Sequence, residues 1–120
     1  MAKSYADLVR EAKERLILTE AEALKARMDT GEEPILIDVR EPQEWEGGII
    51  PGAHRLPRGV LEGQIESQIP RDATVILYCG GGGRSALAAA SLLEMGYSKV
   101  ENLEGGFTGW AQKGLPVENS

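Results

Sequence analysis

The octapeptide Tyr78-Cys79-Gly80-Gly81-Gly82-Gly83-Arg84-Ser85 constrains this chain more than any other stretch. An apolar run, Thr74 to Tyr78, carries the single cysteine into four consecutive glycines, and an alanine-rich segment follows at once. The order reads as strand, loop, helix. Glycine has no Cβ, so four in a row let successive N–H groups turn toward one point, yet glycine also loses more backbone freedom on folding than any other residue. Such a run is unfavourable unless something uses it. The Cys79 sulfur is the natural occupant of that point, because the unpaired N–H groups and dipole of a helix N-terminus favour an anion. Arg84 adds a full positive charge, and these effects lower a thiol's pKa below its free value of about 8.5. The competing reading is an inert cysteine in a flexible turn, since free cysteine is among the most buried residue types. The position at a helix mouth favours the reactive thiolate.

A chain of 120 residues suits one domain with a real core. Nineteen acidic and thirteen basic side chains give a net charge of −6, which argues against a broad nucleic-acid or membrane-binding face and leaves room for a local basic pocket. One cysteine forms no internal disulfide, and one cysteine with one histidine makes a poor zinc site, so no metal or cofactor is expected. The segment Met1-Ala2-Lys3-Ser4-Tyr5 lacks the apolar core of a signal peptide, and no stretch is long enough to span a bilayer. A cytoplasmic protein is expected.

Along the chain, Ser4 opens a helical pattern with Tyr5, Leu8, Val9, Ala12 and Leu16 on one face, read as a packing stripe. Thr19-Glu20-Ala21-Glu22 has capping-box spacing and starts a second helix, with Leu24 and Met28 inward and Gly31 as its stop. Pro34 bars continuation, and Ile35-Leu36-Ile37 reads as a strand buried on both faces. Asp38, Arg40 and Glu41 follow it, just where open α/β sheets place ligands; an ordinary Asp–Arg pair is an equal reading of those residues. A loop from Gly47 to Ala53 leads to a short strand around His54 to Leu56, and a helical segment runs from Val60 to Gln68. His54 is a weak candidate for a general base, since a helix-terminus cradle activates a thiol without one. Ser85 to Met95 reads as a largely buried helix stopped by Gly96, with Tyr97 packing back on Leu92. A strand at Val100 and a last helix near Phe107 and Trp110 complete an α/β domain with a mainly parallel sheet flanked by helices on both faces.

Four ordered pieces now resemble the single-domain rhodaneses, a sulfurtransferase family: Ile37-Asp38-Val39-Arg40-Glu41, Ile50-Pro51-Gly52-Ala53, the Tyr78 to Ser85 octapeptide, and Leu103-Glu104-Gly105-Gly106-Phe107 with Trp110. The resemblance implies a five-stranded rhodanese-like domain over residues 18–117, preceded by a helical extension, 1–17, and followed by a tail, 118–120. It implies Cys79 as the nucleophile that takes the outer sulfur of thiosulfate or a similar donor as a persulfide and passes it to cyanide or a thiol, a protein thiol included. It implies that Arg40 and Arg84 help bind the donor with Gly80, Gly81, Gly82, Gly83 and Ser85, and that Asp38 holds the loops. Related phosphatases place one residue more between cysteine and arginine, so the four-residue spacing here favours sulfur over phosphate. The chain departs from the family in carrying Ile49 where a histidine is common and Gly81 where thiosulfate-specific members often carry a basic residue. A sulfur-relay or regulatory module acting with a partner protein is the alternative; a cysteine phosphatase or arsenate reductase ranks below both.

Overall fold

A computed structural model of the chain describes residues 2–119; Met1 and Ser120, the outer ends of the expected extension and tail, lie outside the described residues. The first helix, α1 (Tyr5–Glu14), starts at a reciprocal capping box: the Asp7 N–H donates to the Ser4 hydroxyl, and the Ser4 N–H donates to the Asp7 carboxylate, each at 3.0 Å. After it come β1 (Ile17–Thr19), α2 (Ala21–Asp29), β2 (Ile35–Asp38) and a 3-10 turn over Pro42–Gly47. The chain continues through β3 (His54–Arg55), α3 (Leu61–Gln64) with a 3-10 turn over Ile65–Ser67, β4 (Thr74–Tyr78), α4 (Gly83–Glu94), β5 (Lys99–Leu103) and α5 (Gly106–Gln112).

The strands form one sheet in the order β1-β5-β4-β2-β3, and every pairing in it is parallel. Parallel sheets are covered on both faces, which is why β2 and β4 are continuous apolar runs without alternation. On one face Ile37, Val75 and Leu77 pack against α3, the 3-10 turn after it and α4 through Leu61, Ile65, Ala88, Ala89 and Leu92. On the other, Leu36, Ile76 and Tyr78 pack against α2 and α5 through Ala21, Leu24 and Trp110. Gly96, at φ +98°, stops α4, and the Tyr97 N–H returns to the Leu92 carbonyl at 3.0 Å. With all strands parallel, the carboxyl ends of β2, β4 and β5 share one edge. No helix among the described residues is long and apolar enough to cross a membrane.

Four local readings change. Thr19 does not cap α2: it is the last residue of β1, Glu20 is the N-cap with no side-chain bond, and the Thr19 hydroxyl donates to Glu101. Pairing with β5 holds this segment extended, as the Glu104 N–H donating to the Thr19 carbonyl at 2.9 Å shows. The boundary expected between residues 17 and 18 therefore falls inside β1, where Ile17 lies opposite Glu101. The tail expected from residue 118 begins on a paired residue, since Glu118 and Ile49 exchange two backbone hydrogen bonds of 2.9 Å. Of the α1 stripe, Ala12 is buried and Leu16 rests on the core, while Tyr5 and Leu8 stay exposed. The helix packs along α4, and its outer residues have no layer above them among the described residues.

Glu101 ties this edge together: Arg27 of α2 binds it through two nitrogens at 2.8 and 3.2 Å, and Thr19 of β1 donates to it from the neighbouring strand. Replacing Glu101 by Gln keeps the shape and removes the charge. We expect a loss of about 1–3 kcal/mol in urea unfolding, the scale of a buried charge-assisted hydrogen bond, with the denaturant slope unchanged. An unchanged midpoint would show that β1 is held by its backbone pairing alone.

Candidate active site

Cys79 leaves the end of β4 and is 1% exposed. Its Sγ accepts the Gly82 N–H at 3.0 Å and the Ser85 hydroxyl at 3.4 Å, at the first turn of α4. Burial pushes the thiol up; hydrogen bonds from the Ser85 hydroxyl and from the N–H groups of Ser85, Gly82 and Gly81 outweigh it, so the thiol ionises below its ordinary value. The sulfur sits where a helix mouth and a loop aim donors at one atom.

The loop is shaped from outside. The first N–H groups of α5 take its carbonyls: Phe107 donates to the Cys79 carbonyl at 2.8 Å and Thr108 to the Gly80 carbonyl at 3.0 Å. This approach needs Gly106, which has φ +55° and whose Cβ, if present, would lie 2.5 Å from the Cys79 oxygen and 2.6 Å from the Gly80 oxygen. Two peptides further on, the Asn102 side-chain amide donates to the Gly82 carbonyl at 3.1 Å and to Glu104 at 2.7 Å, and Glu104 pairs with Lys13 of α1 at 2.9 Å. Within the loop three of the four glycines have a separate reason to be glycine. Gly82 has a left-handed φ of +106°, a Cβ on Gly83 would collide with the Tyr5 hydroxyl, and one on Gly80 would lie 3.1 Å from Arg84 Nη2. At Gly81 a Cβ meets nothing within 4 Å.

The two arginines read together as donor-binding separate in the structure. Arg40 is 4% exposed, and all three guanidinium nitrogens are engaged. Nε and Nη2 donate to the buried Asp38 carboxylate at 2.9–3.2 Å, Nη2 to the Gly48 carbonyl at 2.7 Å, and Nη1 to the Glu44 carbonyl at 3.3 Å. Its guanidinium also lies 4.2 Å from the Phe107 ring centroid. A carboxylate two residues earlier draws the Arg40 side chain inward, so its guanidinium bridges Asp38 to the Glu44 and Gly48 carbonyls. Arg84 stays at the rim, 38% exposed, in a bidentate pair with Glu44 at 2.7 and 3.0 Å. The Arg84 guanidinium holds the Glu44 carboxyl at about 2, against the upward push of burial and with help from the Glu41 N–H. His54 is exposed on β3 and lines a cavity of about 470 Å³ with Glu33, Pro34 and Ile35, at the amino end of β2 and away from Cys79. No group of residues suited to hold a metal ion occurs among the described residues.

The structure thus brings Cys79, Gly80 to Gly83, Arg84 and Ser85 together and leaves Arg40 and Asp38 behind them. Glu44, Asn102 and Gly106 were not singled out from the sequence. Gly106 stood inside a quoted motif with no role attached. Glu44 carried one local signal, its capping spacing from Glu41 across Pro42, which says nothing of a partner forty positions away.

The fold is thus a parallel α/β sheet that presents one cysteine to N–H and hydroxyl donors at a helix mouth. The model of the Rhodanese-like domain matches residues 20–113, and the chain belongs to that family. It is 41% identical over 98 residues to a sulfurtransferase of Allochromatium vinosum, covering 82% of this chain and 91% of that protein. It is 38% identical over 94 residues to the probable adenylyltransferase/sulfurtransferase MoeZ of Mycobacterium tuberculosis, covering 78% of this chain and only 24% of that longer protein. Among solved structures it resembles a Rhodopseudomonas palustris protein of unknown function, described as a possible tyrosine phosphatase, with a TM-score of 0.89, 33% identity, and 98% and 96% of the two chains covered.

Two outcomes test the cradle. Gly106→Ala should cost more than about 2 kcal/mol, because a left-handed residue cannot move away from two backbone oxygens, whereas Gly81→Ala should change stability by less than about 0.5 kcal/mol; chemical denaturation reads both. The rate of Cys79 alkylation against pH should show a midpoint below that of a free thiol, moved upward in Ser85→Ala. Because the folded thiol ionises at lower pH than the unfolded one, its contribution to stability is full above the ordinary thiol range and is lost as pH falls through the lowered value. An unshifted midpoint in Ser85→Ala would remove the hydroxyl from the account.

Proposed function

We propose that the chain transfers sulfane sulfur through a persulfide on Cys79. The observation that carries this reading is the Cys79 sulfur, 1% exposed and hydrogen-bonded by the Gly82 N–H and the Ser85 hydroxyl. The Cys79 thiolate attacks the outer sulfur of a donor, and the donor's S–S bond breaks with its electron pair leaving on sulfite or on a thiolate. A nucleophilic acceptor, cyanide or a thiol, then attacks the outer sulfur of the Cys79 persulfide and returns the cysteine as thiolate. Fixed N–H donors suit both half-reactions, since the charge returns to one sulfur position and the donors need no reorganisation there. The four-residue interval from Cys79 to Arg84, shorter by one than in related phosphatases, favours a sulfur atom over a phosphate group. The free thiol and the reaction it supports suit a reducing cytoplasm.

A second reading, a relay module that hands its sulfur to a partner protein, draws support from one observation. Tyr5, Leu8 and Leu18 leave an exposed apolar surface on α1 and β1, and the Tyr5 hydroxyl reaches Gly83 at the rim of the cradle. Both readings share the loaded intermediate. Incubation with a sulfane-sulfur donor should add one sulfur to Cys79, read by mass spectrometry of the intact chain and of its peptides, with no adduct in Cys79→Ser. Release of that sulfur to cyanide at catalytic rates supports the enzyme, and release to a protein thiol alone supports the relay. No adduct with any sulfane-sulfur donor would end both.

A further inference from the structure

Donors that offer the same outer sulfur differ in where the rest of their charge lies. In thiosulfate, entry of the outer sulfur into the cradle leaves an anionic sulfonate at the rim. In an alkyl persulfide the negative charge resides on the sulfur that enters, and the carrier brings only what its own substituents supply. The rim therefore chooses between them.

Three arginines around this edge of the sheet are each matched by a carboxylate. Arg40 is buried on Asp38 at 2.9 Å, Arg58 pairs with Glu62 at 2.7 Å, and Arg84 with Glu44 at 2.7 Å. Arg55 has no carboxylate partner among the described residues; its guanidinium lies 5.6 Å from the Trp45 ring centroid, and its strand, β3, is two strands from β4, a backbone separation of roughly 10 Å. Gly80 to Gly83 bring no side chains. Glu44 occupies the decisive place: a Cβ on Gly80 would lie 3.8 Å from Glu44 Oε2 and 3.1 Å from Arg84 Nη2, so the pair lies against the first residue of the loop. A sulfonate at that rim would meet a carboxylate beside a cation already bound through both of that carboxylate's oxygens.

We propose that Glu44 is the specificity-determining residue of the site: by occupying Arg84 it disfavours donors whose charge stays outside the cradle, such as thiosulfate, and favours alkyl persulfides on neutral or cationic carriers. This inference rests on the sulfur-transfer reading. The loading step is a direct exchange in which the Cys79 thiolate bonds to the outer sulfur of the persulfide, the S–S bond of the persulfide breaks, and the carrier leaves as its thiolate. No oxidant or reductant enters. Glu44 acts here through Arg84 and through its own charge, and touches no reacting atom.

The test compares thiosulfate with the persulfide of cysteamine, whose carrier bears an ammonium group, in the wild type, Glu44→Gln, and Glu44→Gln with Arg84→Gln. The wild type should use the cysteamine persulfide with the higher kcat/KM. Glu44→Gln keeps the side-chain shape and should lower the KM for thiosulfate about tenfold with kcat little changed, the scale of one charge contact near a protein surface, while raising the KM for the cationic donor. Adding Arg84→Gln should abolish the gain with thiosulfate, since the freed cation is what produces it. A loosened loop would change both donors alike, so a donor ratio that moves less than twofold overturns the assignment, as does a wild type that prefers thiosulfate. Intact mass separates the two levels: if neither donor adds sulfur to wild-type Cys79, the transfer reading fails with it, and if both load while the ratio stays fixed, only the role of Glu44 falls.

Discussion

The two hydrogen bonds from the start of α5 to the carbonyls of Cys79 and Gly80 are what the rest of the site depends on. A peptide unit is planar and trans, so its C=O and the following N–H point in opposite directions. Drawing the Gly80 carbonyl out toward Thr108 turns the Gly81 N–H the other way, and that N–H is among the groups that lower the Cys79 thiol. The cradle is thus set by a helix that contributes no side chain to it. Gly106 is the residue that permits the contact, because the backbone of α5 must come within reach of two loop carbonyls and a Cβ would occupy the gap. The sheet supplies the other fixed point: β4, in register with β2 and β5 on either side, determines where the cysteine begins.

The family fold was legible because its signals are local. Pro34 before Ile35, glycine at 96, and the unalternating β2 and β4 each reflect a rule that acts within a few residues. β1 was not legible for the converse reason. Ile17-Leu18-Thr19 is three residues long, and what makes it a strand is β5, more than eighty positions later. Thr19 beside Glu22 satisfied a helix-start pattern, and the pairing with β5 overrode it. Propensity is a weak prior against such a partner.

The site divides in the same way. Cys79 at a helix mouth follows from strand, glycines and helix in sequence, and the structure shows its donors. The glycine run read as one device, whereas Tyr5, Arg84 and the φ of Gly82 constrain three of its four positions separately, each through a neighbour or a backbone angle that spacing does not encode, and Gly81 is unconstrained. Arg40 is the instructive case. Charge beyond a buried strand end fits a ligand site and an internal brace equally, and only the direction of the side chain decides. Asp38 at 0% exposure accounts for the inward direction, since a buried carboxylate left unpaired would cost far more than the loss of an arginine from the surface.

Hydrogen-bond donors and paired charges then have different tasks at this edge. The N–H groups act over about 3 Å and favour negative charge on one atom, so they choose which atom of a donor enters. Ionic side chains act over a Debye length of about 8 Å in physiological salt, so they choose which molecule approaches. Arg40, Arg58 and Arg84 are each held by a carboxylate, in a chain whose net charge is −6. The longer-range preference for anions is therefore weak while the short-range one at the sulfur stays strong. A thiolate cradle built this way does not need a strongly positive pocket to ionise its cysteine, because the hydrogen bonds that oppose burial come from the loop itself and from Ser85.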